Sequence, residues 1–588
     1  MVSMDSMLTA RTIVGTLQQA GVRHVVIGPG SRSAPMVYAL AEASHLEGFK
    51  LYVRVDERAA AHTALGLSLG SGAPAAVLTT SGTAVGNLMP AVMEAAHADV
   101  ALIALTADRP AELQGTGANQ TTDQRNIFGV HARASVTIDS EDYDPASLRA
   151  TVKAMVSLST GTASEPAGPV HLNLRFREPL VPSPDSLAPT DFATGPLPLV
   201  HRIADEQWDP RDHDPGRALI RQHTLDVSEL PEHHSVVIAG HGAGPVAAEF
   251  AHALGLPLFA EPSSNARYGR NAVAGYPLLL GTSAGQDAHP LAEHISHAVI
   301  FGRPTLSRQI AALLKRPDVK AAMYLPRPVG WFHRSRRRET MIKELPQLAR
   351  FAGQGAPGWL AAWQAASNHA QARIESALEQ VAEDRHREWS ALTAMRAAQV
   401  VAATARGNLV IGSSSVIRDI DIAWRPPFTP HSTIYANRGL AGIDGTLSVA
   451  SGIALATDLR TVVLCGDLTF LYDSLALGSL ETEPDLDIVV INDTGGAIFA
   501  GLEHGQVAQY PGMSPVVERF FGTPHGTDIS ALSQAFDIDY QLVNNEFQLM
   551  SLLAEPTTGR RVIEVRSDRE LRPSTRKAVQ EAVRASFV

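Results

Sequence analysis

Cysteine is almost absent. The 588 residues contain one, Cys465, so neither an internal disulfide nor a multi-cysteine metal site can form. Positive charge is also short: 49 Lys and Arg stand against 60 Asp and Glu, a formal charge of −11. That balance argues against a nucleic acid or an anionic membrane as partner, because both need a basic footprint. An anionic small substrate must then be gripped by local arginines against an unfavourable overall field. No run reaches the ~18–20 apolar residues that a membrane helix requires. The opening "MVSMDSMLTARTIVGTLQQAG" does not join a basic start to an apolar core, so no signal peptide is expected and a cytoplasmic protein is. What is present is ordinary. Hydrophobic residues make up 45% and charged ones 19%, a globular composition with ample core, long enough for roughly three or four domains at ~150 residues each.

Short apolar runs alternate with helical patterns through most of the chain. "HVVIGPG", "LYVRVDE", "AAVLTTSG" and "VALIALTADRP" read as strands, each followed by a helix-like segment or a glycine turn. Such alternation predicts doubly wound parallel α/β sheets. The polar "HRIADEQWDPRDHDPGRA" interrupts it as a linker or insertion, and the alternation resumes from "SVVIAGHGAG" to "AAMYLPRP". Residues 330–390, charged and Ala-rich, predict a helical connector, and a further α/β unit runs from "GNLVIGSS" to "RRVIEVRSD". The expected organisation is three α/β domains, at 1–190, 191–385 (with the linker and connector) and 386–588. "GHGAGP" imitates a dinucleotide loop but lacks the full spacing and an acid ~20 residues on, so it reads first as a strand–turn–helix corner. An NAD or FAD oxidoreductase is the reading it would otherwise support.

Two places carry chemistry. Asp56 and Glu57 fall where the strand "LYVRV" meets a helix rich in small residues. An acid there is either a helix cap or a carboxylate aimed at a proton. Asp467 and Asp493 lie 26 residues apart, each at the end of an apolar strand in "LCGDLTFLYDSLALGSLETEPDLDIVVINDTGG". Strand ends of a parallel sheet share one edge, where α/β proteins bind ligands. Two acids, a backbone carbonyl of the following turn and diphosphate oxygens suit Mg²⁺, while the helix after Gly466 offers its first amides to phosphate. Two unrelated turn aspartates are the bland alternative.

The stretch resembles the thiamine diphosphate fingerprint, which opens on Gly-Asp and closes about 25 residues later on Asn-Asn. Here it closes on Asn492-Asp493, which puts an extra negative charge at the metal. The resemblance implies thiamine diphosphate with Mg²⁺ (or Mn²⁺) as cofactors. Asp467, Asp493 and the Gly495 carbonyl would hold the metal, and Gly466, Leu468 and Asn492 would line the cofactor. It implies that Glu57 hydrogen-bonds the aminopyrimidine N1′, favouring the imino tautomer whose 4′-nitrogen deprotonates the thiazolium. Ile443 would wedge between the two cofactor rings, bringing base and acidic carbon together. Ile498 and Phe499 would form an apolar wall. His62 and His131 carry no assigned role.

"GPGSRSAP", "VDERAAAH", "TSGTAVGNLMPAV", "TADRPAELQGTGANQT", "NRGLAGIDGTLSVASG", "GDLTFLYDS" and "GGAIF" resemble one branch, the 2-succinyl-5-enolpyruvyl-6-hydroxy-3-cyclohexene-1-carboxylate (SEPHCHC) synthases of menaquinone biosynthesis. The motifs occur in that family's order and cover both outer domains. They imply a pyrimidine-binding domain, a central domain and a diphosphate-binding domain, in a homodimer or homotetramer whose active sites are shared between subunits. The implied reaction is decarboxylation of 2-oxoglutarate followed by 1,4-addition of the succinyl carbanion to isochorismate. Another thiamine diphosphate decarboxylase or carboligase is the alternative. Both substrates are polyanions, which favours arginine with its planar, bidentate grip. The motif positions are Arg32 and Arg109 with Gln120 for isochorismate, and Arg418 and Arg438 for 2-oxoglutarate. Ser31 and Ser414 would add hydrogen bonds, and Arg308 a contact from the middle domain.

Overall fold

The structure, a computed structural model, describes residues 5–44, 49–183, 227–281, 287–383, 392–478, 483–555 and 557–587. The expected insertion near residues 201–218 lies outside them. The first sheet holds β1 (His24–Ile27), β2 (Lys50–Val53), β3 (Ala75–Thr79), β4 (Leu102–Asp108), β5 (Ala134–Asp139) and β6 (Pro169–Arg175), in the order β2-β1-β3-β4-β6-β5. The middle sheet holds β7 (Ser235–Ala239), β8 (Leu258–Ala260), β9 (His297–Phe301), β10 (Lys320–Tyr324) and β11 (Thr340–Ile342), in the order β11-β10-β9-β7-β8. The last sheet holds β12 (Gly407–Ile411), β13 (Ser432–Tyr435), β14 (Thr461–Gly466), β15 (Leu486–Asn492), β16 (Asp539–Val543) and β17 (Arg560–Arg566), in the order β13-β12-β14-β15-β17-β16.

Every pairing in these three sheets is parallel. Helices cover both faces, so the central strands are buried throughout and mostly apolar, as β3, β4, β7 and β9 show. The first and last sheets share one strand order, although their sequences show no alignable repeat.

Two helices rich in small residues, Glu57–Ser71 and Thr446–Thr457, join the first and last sheets by close backbone approach. A Cβ on Gly66 would lie 2.1 Å from the Val449 carbonyl oxygen, and one on Gly452 2.2 Å from that of Thr63. The small-residue run after Glu57 is thus a contact surface between backbones, as its composition suggested. "GHGAGP" is the expected corner: it follows β7 and leads into the helix Pro245–Ala253, with Gly242 and Gly244 both at φ 72°.

The connector expected over residues 330–390 is corrected. That stretch contributes β11 and the helix Leu345–Ala352 to the middle unit. Its long helix Trp359–Glu383 buries Trp359, Trp363, Ala366, Ala370 and Ile374 along one stripe. Trp363 meets Phe259 of β8 edge-on at 4.9 Å, and the same buried cluster takes in Ala423, Val579 and Val583, so this helix packs the middle unit against the last. Among the described residues no helix is long and apolar enough to cross a membrane.

Candidate active site

β14 and β15 run side by side with Gly466 opposite Ile491, so the residues that follow, Asp467 and Asn492-Asp493, emerge at one edge. Asp467 begins the short helix Asp467–Tyr472 and is buried. Its Oδ2 accepts the Gly495 amide at 2.8 Å and lies 3.1 Å from His525 Nε2. His525 Nδ1 accepts the Thr527 amide, which leaves Nε2 as the donor. Asp467 Oδ1 accepts the amide of Leu468 at 2.7 Å, so that first helical amide, expected to face phosphate, is already bonded.

Asn492 braces the turn from within. Its Nδ2 donates to Glu564 Oε1 at 2.8 Å and its Oδ1 accepts the Thr494 amide at 3.0 Å. Thr494 takes φ 55° and Gly495 φ 149°. A Cβ on Gly495 would fall 2.5 Å from the Gly522 carbonyl oxygen, so only glycine fits. Gly495 meets Asp467 through its amide, while its carbonyl accepts the Ala497 amide at 3.1 Å and keeps a second lone pair.

Asp493 is buried, with Oδ2 2.6 Å from Arg572 Nε. Burial pushes its carboxyl up to about 7 against the pull of Arg572, and the charge of Asp467 adds to the rise. Two buried carboxylates, one of them met by Arg572, suit a hard divalent cation. Among the described residues no group of three or more His, Cys, Asp or Glu side chains is arranged to hold a metal. The donor set would therefore be completed by backbone and by oxygens of a bound ligand.

Ile443 lies half-buried in the loop before the helix Thr446–Thr457. That loop is pinned from the first sheet. Glu94, buried on the helix Met89–Ala98, accepts the amides of Gly439 at 2.7 Å and Leu440 at 2.6 Å. His62, left unassigned by the sequence, lies 3.4 Å from Asp444 of the same loop. Ile498 and Phe499 are half-buried in the turn Ala497–Gly501, with Phe499 packed against Phe521 and His504.

The basic residues form two groups. In the last sheet, Ser414 and Arg418 follow β12 and Arg438 follows β13, at the edge that carries Asp467. Burial and the charges of Arg438, Arg576 and Arg308 all lower the pKa of Arg418. Arg438 is buried, with Nε and Nη2 on Thr305 Oγ1 and Nη1 without a hydrogen-bond partner. Arg308 is exposed and reaches Glu503 at 3.4 Å.

In the first sheet, Ser31 and Arg32 follow β1, Ser81 follows β3, and Arg109 follows β4, on three adjacent strands. Arg109 donates to Ser81 Oγ and to the Gln120 carbonyl, and Gln120 Nε2 donates to the Ser81 carbonyl at 2.8 Å. Burial and the charge of Arg32 lower the pKa of Arg109. Arg32 donates to the Phe176 carbonyl at 3.0 Å, and its buried Nε has no partner.

At the end of β2 the alternatives for the acid pair separate. Asp56 is the N-cap, accepting the Arg58 amide at 2.8 Å, so the cap role considered for Glu57 falls to its neighbour. Glu57 is left to project past Gly28, with Oε2 accepting from Asn87 Nδ2 at 3.2 Å. No hydrogen bond or ion pair among the described residues links Glu57 to the Asp467 turn. Arg58, the next residue, instead donates to the Tyr472 carbonyl, at the far end of the helix that Asp467 begins.

A family model described as "Thiamine pyrophosphate enzyme, N-terminal TPP binding domain" matches residues 7–127. Proteins named 2-succinyl-5-enolpyruvyl-6-hydroxy-3-cyclohexene-1-carboxylate synthase align along nearly the whole chain. The one from Arthrobacter sp. (strain FB24) is 48% identical over 99% of this chain and 93% of its own length. That of Paenarthrobacter aurescens (strain TC1) is 47% identical over 99% and 98%. That of Mycolicibacterium smegmatis is 36% identical over 98% and 99%.

Proposed function

The chain belongs to the SEPHCHC synthase family of thiamine diphosphate enzymes, and we propose that it joins the four carbons left by decarboxylation of 2-oxoglutarate to isochorismate, for menaquinone biosynthesis. One observation carries the reading. A buried two-carboxylate turn and a buried arginine with an unpartnered donor, Arg438, stand at the same sheet edge. The first suits a metal-bound diphosphate and the second a carboxylate.

Asp467 and Asp493, with the Gly495 carbonyl, would hold Mg²⁺ and through it the diphosphate. Thiamine diphosphate, when bound, supplies the electron sink for decarboxylation. Glu57 would hold a proton at N1′ of the pyrimidine, and Ile443 would set the angle between the rings. Ile498 and Phe499 would exclude water. Arg418 and Arg438 would orient the distal carboxylate of 2-oxoglutarate so that its C1–C2 bond breaks and CO₂ leaves. Arg32, Arg109 and Gln120 would present the isochorismate ring carbon that forms the new bond.

The domain division proposed is 1–190 for the pyrimidine, 191–385 for the centre and 386–588 for the diphosphate, acting in the cytoplasm as a homodimer or homotetramer. Sites shared between subunits are supported by the place of Glu57 beside Arg58, which meets the Asp467 helix at its far end, Tyr472. They are supported too by the apolar surface that Val55, Tyr472 and Leu475 expose near the start of the Glu57 helix.

The test varies each substrate in turn. Losing one charge-assisted bidentate contact is expected to cost about 10- to 100-fold for the substrate it holds. Arg418→Ala should raise KM for 2-oxoglutarate by that factor and leave KM for isochorismate nearly unchanged. Arg32→Ala should do the reverse while still releasing CO₂ from 2-oxoglutarate alone. Equal effects of both variants on both substrates would refute the division.

A further inference from the structure

The aspartate at position 493 stands where the thiamine fingerprint has asparagine, and the structure gives that extra charge a counterpart. The C-terminal helix Leu571–Arg584 returns over the edge of the last sheet and places Arg572 on its first turn. Arg572 is buried between two acids, with Nε 2.6 Å from Asp493 Oδ2 and Nη1 2.8 Å from Asp419 Oδ2. Arg576, one helical turn on, holds the other oxygen of Asp419 at 2.9 Å. Charges therefore alternate along Asp493, Arg572, Asp419 and Arg576. With Arg576 matched to Asp419, Arg572 is matched to Asp493. Of the two carboxylates of the metal turn, only Asp493 meets a guanidinium among the described residues, while Asp467 meets two amides and His525, so the balance approaches that of an Asp–Asn pair. The contact at Asp493 runs from Nε to Oδ2, an ion pair outside hydrogen-bond geometry.

We propose that Arg572 is a positioning residue of the metal turn, cancelling the charge that aspartate adds at 493 and fixing that carboxylate so that its other oxygen faces the cation. This rests on the functional reading above. A guanidinium beside an aspartate is charge-matched and scarcely repels the cation. The same guanidinium beside an asparagine repels the cation. The cost of Asp493→Asn must therefore depend on what stands at 572.

The experiment is a double-mutant cycle read by binding, with thiamine diphosphate affinity titrated against Mg²⁺ and apparent Tm recorded alongside. Asp493→Asn in the otherwise unchanged chain is expected to weaken Mg²⁺-dependent binding by about tenfold or more. In an Arg572→Met background the same change should cost less than about threefold, and in an Arg572→Lys background, which keeps the charge, the penalty should persist. Arg576 keeps Asp419 partnered in every variant. If Arg572→Met alone fails to fold, the double variant is expected to fold and to bind Mg²⁺ better than Asp493→Asn alone. Equal costs in the Arg and Met backgrounds, or a double variant that fails to fold, would overturn the inference. An unaltered chain without Mg²⁺-dependent cofactor binding would overturn the functional reading along with it, and so separates the two failures.

Discussion

Glu57→Gln is expected to keep thiamine diphosphate bound and lower turnover by about 10²- to 10⁴-fold. The substitution is close to isosteric. The helix keeps its start, because Asp56 supplies the cap, and the Asn87 contact needs only an oxygen at the end of residue 57. What changes is charge. A carboxylate favours the protonated pyrimidine N1′, and a neutral amide does not. The check pairs kcat with cofactor affinity measured on the same preparation. Turnover near that of the unaltered chain, with the cofactor bound, would remove Glu57 from the chemistry.

Asp467→Ala is expected to fail at the earlier step. Asp467 is buried, accepts the Leu468 and Gly495 amides and contacts His525, so its removal takes the proposed metal ligand and leaves three donors without their acceptor. Mg²⁺-dependent affinity for thiamine diphosphate should fall by about 100-fold or more, a loss comparable to removing a partner of a buried charged hydrogen bond. Unchanged affinity in a titration would mean that the metal turn is misplaced. The two variants also report on each other. If Glu57 of one subunit serves the cofactor held by Asp467 of another, an equal mixture of the two inactive proteins, dissociated and reassociated, should regain about a quarter of normal activity. Half of the re-formed pairs would then be mixed, each with one intact site. A mixture that stays inactive places both residues in one chain's own site.

Much of this was legible in the sequence because parallel sheets bring distant residues to one edge by rule. The run ending at Gly466-Asp467 and the run ending at Asn492-Asp493 read as adjacent strands, and their register puts both acids together. The four motif arginines likewise follow β1, β4, β12 and β13. Residues that reach the site from elsewhere were not legible. Arg572 arrives on the last helix, His525 on the loop before the helix Ile529–Ala535, and Glu94 from a helix of a different sheet. No local pattern marks them, since each is fixed by a tertiary contact that leaves its own segment looking like any polar stretch. Asp56 and Glu57 are neighbours of like chemistry, and only the backbone geometry at the strand end decided which of them caps the helix. The surroundings of the helix Trp359–Glu383 were not legible for a related reason. Its period shows a buried stripe but not which sheet the stripe covers.

The proposed reaction makes a carbon–carbon bond with loss of carbon dioxide. The measurement incubates the chain with thiamine diphosphate, Mg²⁺, isochorismate and 2-oxoglutarate carrying carbon-13 at C1, with gas and products followed by mass spectrometry. The predicted result is labelled carbon dioxide released in step with an unlabelled adduct that forms only when isochorismate is present. Labelled carbon dioxide released at the same rate without isochorismate, with no adduct in its presence, would contradict it.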